Sequence, residues 1–233
     1  MKVAVIIPFR DRGRDPLRPA NLKRVLKHWE GFDAPVFVVG DGREGGESFN
    51  RSAAYNRGAA MANADIIVYS ESDLIVDHGQ IREGVQLASE APGLVVPFSR
   101  FMAITPEDSI RVRECAIAPG EGASQQVRGD YKSIGAVNIV SCESLALIGQ
   151  YDERFEGAWY DDDAMERAFH ITCGPTRFVE GPGYHLYHLP GAQGEHLTDA
   201  DRAATAANQR RWEMYLAAKT PERIRELTAG VLE

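Results

Sequence analysis

The sequence predicts an α/β fold with a mixed, mostly parallel sheet flanked by helices and followed by a helical C-terminal tail. Three observations carry this. Short, continuous runs of β-branched residues recur (VAVII at 3–7, VFVV at 36–39, IIV at 66–68). Stretches of helical periodicity or composition separate them, and Gly, Pro and Asp punctuate the joins.

The elements follow in order. Residues 3–7 read as a buried strand; after an Arg/Pro-rich loop, Leu22, Val25, Leu26 and Trp29 recur at i, i+3, i+4 and i+7, which is an amphipathic helix. APVFVVGDG (34–42) repeats the strand pattern, residues 48–64 have helical composition with Ser48 as a candidate N-cap, and DIIVYS (65–70) is a third strand. A helix near 78–90, bounded by APG, leads to a strand at 94–98. Residues 99–134 show weak periodicity and read as a loop-rich insertion. Strand (135–141), short helix (142–149) and a helix over 161–174 ending at Gly174 come next, then strands at 176–180 and 184–188. From Thr198 the tail is helical, with a break at KTPE.

Composition narrows the function. With 233 residues, 44% hydrophobic and 26% charged, the chain suits one large α/β domain. A net charge of −8 argues against a broad electrostatic grip on nucleic acid or anionic lipid, although RDRGRDPLR near the N-terminus is a local basic patch able to hold a phosphate. The opening apolar run is short for a signal peptide, and no stretch approaches the ~20 apolar residues of a membrane span, so a soluble, cytoplasmic protein is expected. Cys115, Cys142 and Cys173 lack C-x-x-C spacing, which indicates neither a disulfide framework nor a cysteine zinc site.

The chemistry-bearing residues lie at strand ends and one helix start. In YSESDLIV (69–76), Glu71 and Asp73 close a buried strand, where ligands sit in open α/β sheets. Acids at i and i+2 on a strand project to one side and would suit a hard divalent cation; the alternative is a polar turn. Asp41 ends the second strand, either as a turn-forming Asp-Gly pair or as an acceptor for a nucleobase or ribose. Arg10 is a candidate base or phosphate ligand, or a solvated loop residue. Asn50, Arg51, Asn56 and Arg57 decorate a helix with an alanine-rich packing face and read mostly as surface residues. Asp161, Asp162 and Asp163 sit at a helix N-terminus, whose dipole stabilises negative charge. His185 and His188, at i and i+3 on a strand, should face opposite sides, leaving at most one as a metal ligand.

Taken in order, VAVIIPFRDR with NLKRVL, SFNRSAAYNRGAAMANADIIVYSESDLIV, GAVNIVSCESLALIGQYDERFEGAWYDDDAMER and YHLYHLPG resemble a GT-A-fold (Rossmann-like) glycosyltransferase of the family 2 type, with a galactosyltransferase-like C-terminal region. The resemblance covers most of residues 1–190. It implies a D-x-D-like site for Mn²⁺ or Mg²⁺ and a nucleotide-sugar diphosphate, with Glu71 first, Ser72 between and Asp73 as the metal-binding acid. It implies that His188 or His185 completes the metal site, and that Pro8, Arg10, Asp41, Asn50 and Arg57 help hold a nucleotide, UDP in keeping with the family. It puts the catalytic base on Asp161, or on Asp162 if the register shifts by one, with Tyr160 where the family usually has Glu.

The implied organisation is a single catalytic domain over 1–195, comprising a nucleotide-sugar-binding half (1–98), the insertion (99–134) and an acceptor half (135–195), with a helical extension over 196–233. The implied reaction is an inverting transfer to an acceptor hydroxyl on a saccharide, lipid-linked glycan, protein, metabolite or modified base. A sugar nucleotidyltransferase is the enzymatic alternative, but PFRDRGRDPLRP has the single glycine Gly13 where a triphosphate cradle needs several. A non-catalytic nucleotide-sugar-binding protein is the other.

Overall fold

The structure is a computed structural model and describes residues 1–127, 134–191 and 194–230. β1 (Val3–Pro8) opens the chain, followed by α1 (Leu17–Trp29), β2 (Val36–Val39), α2 (Arg51–Ala62) and β3 (Ile66–Ser70). Next come β4 (Leu74–Val76), α3 (His78–Glu90), β5 (Val95–Val96), β6 (Arg100–Ile104) and α4 (Pro106–Arg113). β7 (Ser124–Val127), β8 (Val137–Ser141), α5 (Cys142–Ile148) and α6 (Asp161–Cys173) follow. β9 (Arg177–Phe178), β10 (Pro182–His185), α7 (Asp199–Ala217) and α8 (Pro221–Thr228) complete the described elements.

The main sheet has the order β2-β1-β3-β8-β5-β9. β1 runs parallel to β2 (Ile6 opposite Phe37) and to β3 (Val5 opposite Val68), and β8 returns antiparallel to β3. Strand alternation divides the core. Val5, Ile7 and Val68 pack with Val25 and Trp29 of α1 and with Ile81 and Val85 of α3, whereas Ile6, Ile67 and Tyr69 pack with Tyr55 of α2, Leu145 of α5 and Phe169 of α6. Both faces being covered explains why these strands read as unbroken apolar runs. The α2 cap is Asn50 rather than Ser48: its side chain accepts from the Ala53 N–H at 2.8 Å. No helix among the described residues is long and apolar enough to cross a membrane.

A second sheet, β4-β10-β6-β7, corrects the reading of 99–134 as loop-rich. Residues 100–127 supply β6, α4, a short 3₁₀ turn at Pro119–Glu121 and β7; residues 128–133 lie outside the described residues. The periodicity was weak because these elements build a small sheet that is only partly buried: α4 buries Ser109 and Val112, and β7 is largely exposed. The start of α4 was nonetheless encoded, with Thr105 capping, Pro106 in the first turn and Glu107 and Asp108 at the positive end of the dipole. The chain leaves the main sheet at Ser70 and enters the second at Leu74, so Glu71–Asp73 is the crossing between sheets. The crossing is what interrupts the apolar run.

Where α1 meets the start of α3, His28 Nε2 donates to the Val76 carbonyl at 2.9 Å, and the His28 and His78 rings lie 4.2 Å apart beside Trp29 and Phe32. Burial, with His78 adding to it, lowers the His28 pKa to about 4, and burial lowers that of His78. A depressed histidine stabilises the fold fully above its unfolded value of 6.5, and that stability is lost as pH falls toward 4. The thermal midpoint should therefore drop between pH 6.5 and 4.5 by more in the parent than in His28→Gln, which keeps a donor for Val76. Superimposable pH profiles of the two proteins would contradict this.

Candidate active site

Asp73, His185 and His188 converge, with one ligand atom from each lying within 4.8 Å of the others. Pairing explains the convergence. β10 runs antiparallel to β4, with His185 opposite Leu74, and the Leu186 N–H donates to the Asp73 carbonyl at 2.8 Å, stapling the histidine segment to the crossing. The strand ends at His185, earlier than the expected 184–188, so His188 escapes the strand alternation. Both histidines face Asp73, correcting the expectation that they point to opposite sides: His185 Nε2 is 3.7 Å from Oδ1 and His188 Nε2 is 3.2 Å from Oδ2.

The donor set fits a divalent cation. Asp73 is 2% exposed and its Oδ1 has no hydrogen-bond partner, an uncommon state for a buried carboxylate oxygen. His188 Nδ1 lies 2.7 Å from the Leu189 carbonyl and 3.2 Å from Arg18 Nη2, contacts that orient the ring with Nε2 toward Asp73. Burial lowers the His185 pKa to about 4, which keeps it neutral, as a ligand must be. Mixed imidazole and carboxylate ligands suit Mn²⁺ better than Mg²⁺. Arg18 Nη1, 3.6 Å from Asp73 Oδ2, adds a fixed positive charge beside the site.

Glu71 does not share this site, contrary to the same-side expectation. Because the strand stops at Ser70, its carboxylate turns to Arg51, while its N–H donates to the Ala136 carbonyl at 2.7 Å. Ser72 is buried beside Asp73. Arg51 is the residue that sequence reasoning passed over. Its Nε and Nη2 donate to Asp161 Oδ2 at 2.8 and 2.6 Å, Nη2 also reaches Asp162 Oδ2 at 2.7 Å, and Nη1 holds Glu71. As the first residue of α2 after the Asn50 cap, it is aimed back toward the strand ends. That position was the available signal. Arg57, six residues on, is exposed and lies against Gly42, away from this cluster.

The first two aspartates of α6 differ. Asp161 is 7% exposed and gripped twice by Arg51. Asp162 takes a single Arg51 donor, on Oδ2, and lines a cavity of ≈ 200 Å³ with Ile134, Trp159, Tyr160 and Asp163. Its carboxyl lies against Gly135, whose φ of +81° brings backbone where a Cβ would sit 2.5 Å from the carboxyl carbon. Desolvation among these neighbours pushes the Asp162 pKa up to about 7; Asp161 and Asp163 add to the rise and Arg51 opposes it. Trp159 and Tyr160, both with left-handed backbone, form the cavity rim, and Trp159 is 54% exposed. A larger cavity of ≈ 530 Å³, between α2, α5 and the end of α8, touches none of these groups.

Pro8, Arg10 and Asp41 sit at the carboxyl ends of β1 and β2, the expected edge, but Arg10 and Asp41 bind each other, with Arg10 Nε 2.9 Å from Oδ1 and Nη2 3.3 Å from Oδ2. Arg10 also donates to the carbonyls of Gly45 and Glu47. Burial opposes ionisation of Asp41, but the N–H of Asn50 and the Arg10 guanidinium outweigh it and hold the carboxyl below its usual range. Asn50 is committed to structure, capping α2 and donating to the Glu153 carbonyl. The helical extension is built into the same edge: Asp201, near the start of α7, receives Arg12 and Arg14 at 2.7 Å each and Ser48 at 3.0 Å.

No protein-family model and no curated protein matches the chain. Solved structures do. β1,4-Galactosyltransferase 7 of Drosophila, in complex with manganese, UDP-Gal and xylobiose, is 15% identical, with 87% of this chain and 79% of that one covered and a TM-score of 0.51. Glucosyl-3-phosphoglycerate synthase of Mycobacterium tuberculosis, with Mn²⁺, UDP-glucose and phosphoglyceric acid, is 15% identical over 96% of this chain and 79% of that one, TM-score 0.53. The same synthase with Mg²⁺ and UDP is 13% identical over 91% and 79%, TM-score 0.51. The chain has the GT-A fold of these glycosyltransferases.

Proposed function

We propose that this protein transfers a sugar from a nucleotide sugar, UDP-linked, to an acceptor hydroxyl with inversion at the anomeric carbon. The observation that carries the reading is the Asp73–His185–His188 cluster at the sheet crossing, joined through Glu71 and Arg51 to the Asp162 cavity. Asp73, His185 and His188 hold the divalent cation; when bound, it neutralises the charge of the donor diphosphate. Arg18 adds a guanidinium on that side. Asp162, rather than the more deeply held Asp161, is the general base. It accepts the proton of the acceptor hydroxyl as that oxygen bonds to the anomeric carbon and the bond to the diphosphate breaks. Trp159 and Tyr160 offer aromatic faces to the acceptor.

A thermal-shift panel of nucleotide sugars with and without Mn²⁺ tests donor binding, because a ligand of the native state raises its apparent stability. A UDP-sugar should raise the midpoint with Mn²⁺ and have little effect with chelator; no response from any nucleotide sugar would overturn the reading. The pH profile tests the base. A general base works deprotonated, so with an Asp162 pKa of about 7, kcat/KM should fall roughly tenfold per pH unit below that value. A profile flat from about pH 5.5 to 8 would exclude Asp162 from the role.

A further inference from the structure

Arg51 makes contacts that a surface helix residue has no reason to make. Its side chain is 17% exposed, and its guanidinium meets three carboxylates from two other segments: Glu71 from the sheet crossing, and Asp161 and Asp162 from α6. Burial opposes its charge, but Asp161 and Asp162 hold it firmly protonated. The distribution of contacts is uneven. Asp161 takes two donors on Oδ2 and its buried Oδ1 has no hydrogen-bond partner among the described residues, while Asp162 takes one Arg51 donor, on Oδ2.

We propose that Arg51 is a positioning residue for the transfer step, holding Asp162 by Oδ2 so that Oδ1 is left for the acceptor hydroxyl and tying that carboxylate to the metal-bearing crossing through Glu71. The inference rests on the function proposed above and adds to it a link between the donor and acceptor sides. Three acids share one guanidinium, so the cluster carries excess negative charge, and the least tightly held acid is the one that takes up a proton. Around Asp162 the charged and titratable groups among the described residues are Arg51 and Tyr55 on α2, Glu71 at the crossing, Tyr151 before α6, and Asp161 and Asp163 on α6 itself. Arg51 is the cation among them. During transfer the acceptor proton moves to Asp162 Oδ1, the new oxygen–carbon bond forms at the anomeric centre, and the nucleoside diphosphate leaves with the electron pair of the broken bond.

The test compares Arg51→Gln with Arg51→Lys, using UDP-sugar turnover with Mn²⁺ across pH and circular dichroism to follow folding. Arg51→Gln should lose kcat about tenfold or more and move the acidic limb of kcat/KM upward by about one pH unit, the usual effect of removing an adjacent opposite charge. Arg51→Lys keeps the charge without the fork, so its limb should stay near the parental position while kcat falls. A general loss of packing would lower activity without moving the limb. A limb unmoved in Arg51→Gln overturns the proposal; should that variant not fold, a parental kcat in Arg51→Lys overturns it equally. Failure of the underlying function looks different, since Asp162→Asn would then match the parent in every nucleotide-sugar assay. In that case the Asp162 carboxyl titration, followed by infrared difference spectroscopy against Asp162→Asn, still decides whether Arg51 controls this acid: an upward shift in Arg51→Gln supports the link and an unchanged titration removes it.

Discussion

Asp162→Asn should lose transfer by about 10²–10⁴-fold, the usual worth of a general base, while binding UDP and Mn²⁺ as the parent does. The carboxyl lines the acceptor-side cavity and touches none of Asp73, His185 or His188, so the loss belongs in kcat. Stability should hold or rise, because a partly enclosed acid in a cluster of excess negative charge is replaced by a neutral amide of the same shape. Asp161→Asn should behave differently. Asp161 is the acid Arg51 grips most tightly, and removing one partner of a buried ion pair typically costs about 3–5 kcal/mol. Its variant should be marked by a lowered thermal midpoint, with any transfer defect following from the displaced guanidinium. If Asp161→Asn were stable and inactive and Asp162→Asn stable and active, the base would be Asp161.

Asp73→Asn should abolish metal-dependent donor binding, with Mn²⁺ affinity falling by at least about 100-fold, since even residues behind the ligands are worth 10–100-fold. The amide keeps the shape but removes the charge that a cation held between the histidines and this 2%-exposed carboxylate requires. Glu71→Gln should leave Mn²⁺ affinity close to parental, because Glu71 faces Arg51 and not the histidines. Calorimetric titration of UDP into protein with Mn²⁺ separates the two variants, and equal losses would contradict the division of labour between the acids.

How much of this was legible differs by element. The succession β1, α1, β2, α2, β3 was readable because β1 and β3 are buried on both faces, the edge strand β2 is still a continuous apolar run, and each helix carries an apolar stripe or alanine-rich face. β6, α4 and β7 were missed because a small, half-exposed sheet imposes little periodicity, although Thr105–Pro106 marked a helix start. The functional misreadings share one cause: side-chain direction depends on where a strand stops. β3 ends at Ser70, which separates Glu71 from Asp73, and β10 ends at His185, which frees His188 to join it. Strand alternation predicted the opposite in both cases. Arg51 and Arg57 were indistinguishable as polar residues on one helix. The place of the first turn of α2 relative to the strand ends tells them apart, and it is set by tertiary packing.

Nucleotide-sugar turnover dependent on both halves of the site is the central claim, and one experiment addresses it directly. UDP release from UDP-galactose and UDP-glucose, with a panel of saccharide and small-metabolite acceptors, is measured with Mn²⁺ and with chelator for the parent, Asp73→Asn and Asp162→Asn. The account predicts metal-dependent release in the parent, loss of both binding and release in Asp73→Asn, and binding without release in Asp162→Asn. Release that persists in chelator, or that is equal in all three proteins, would contradict it.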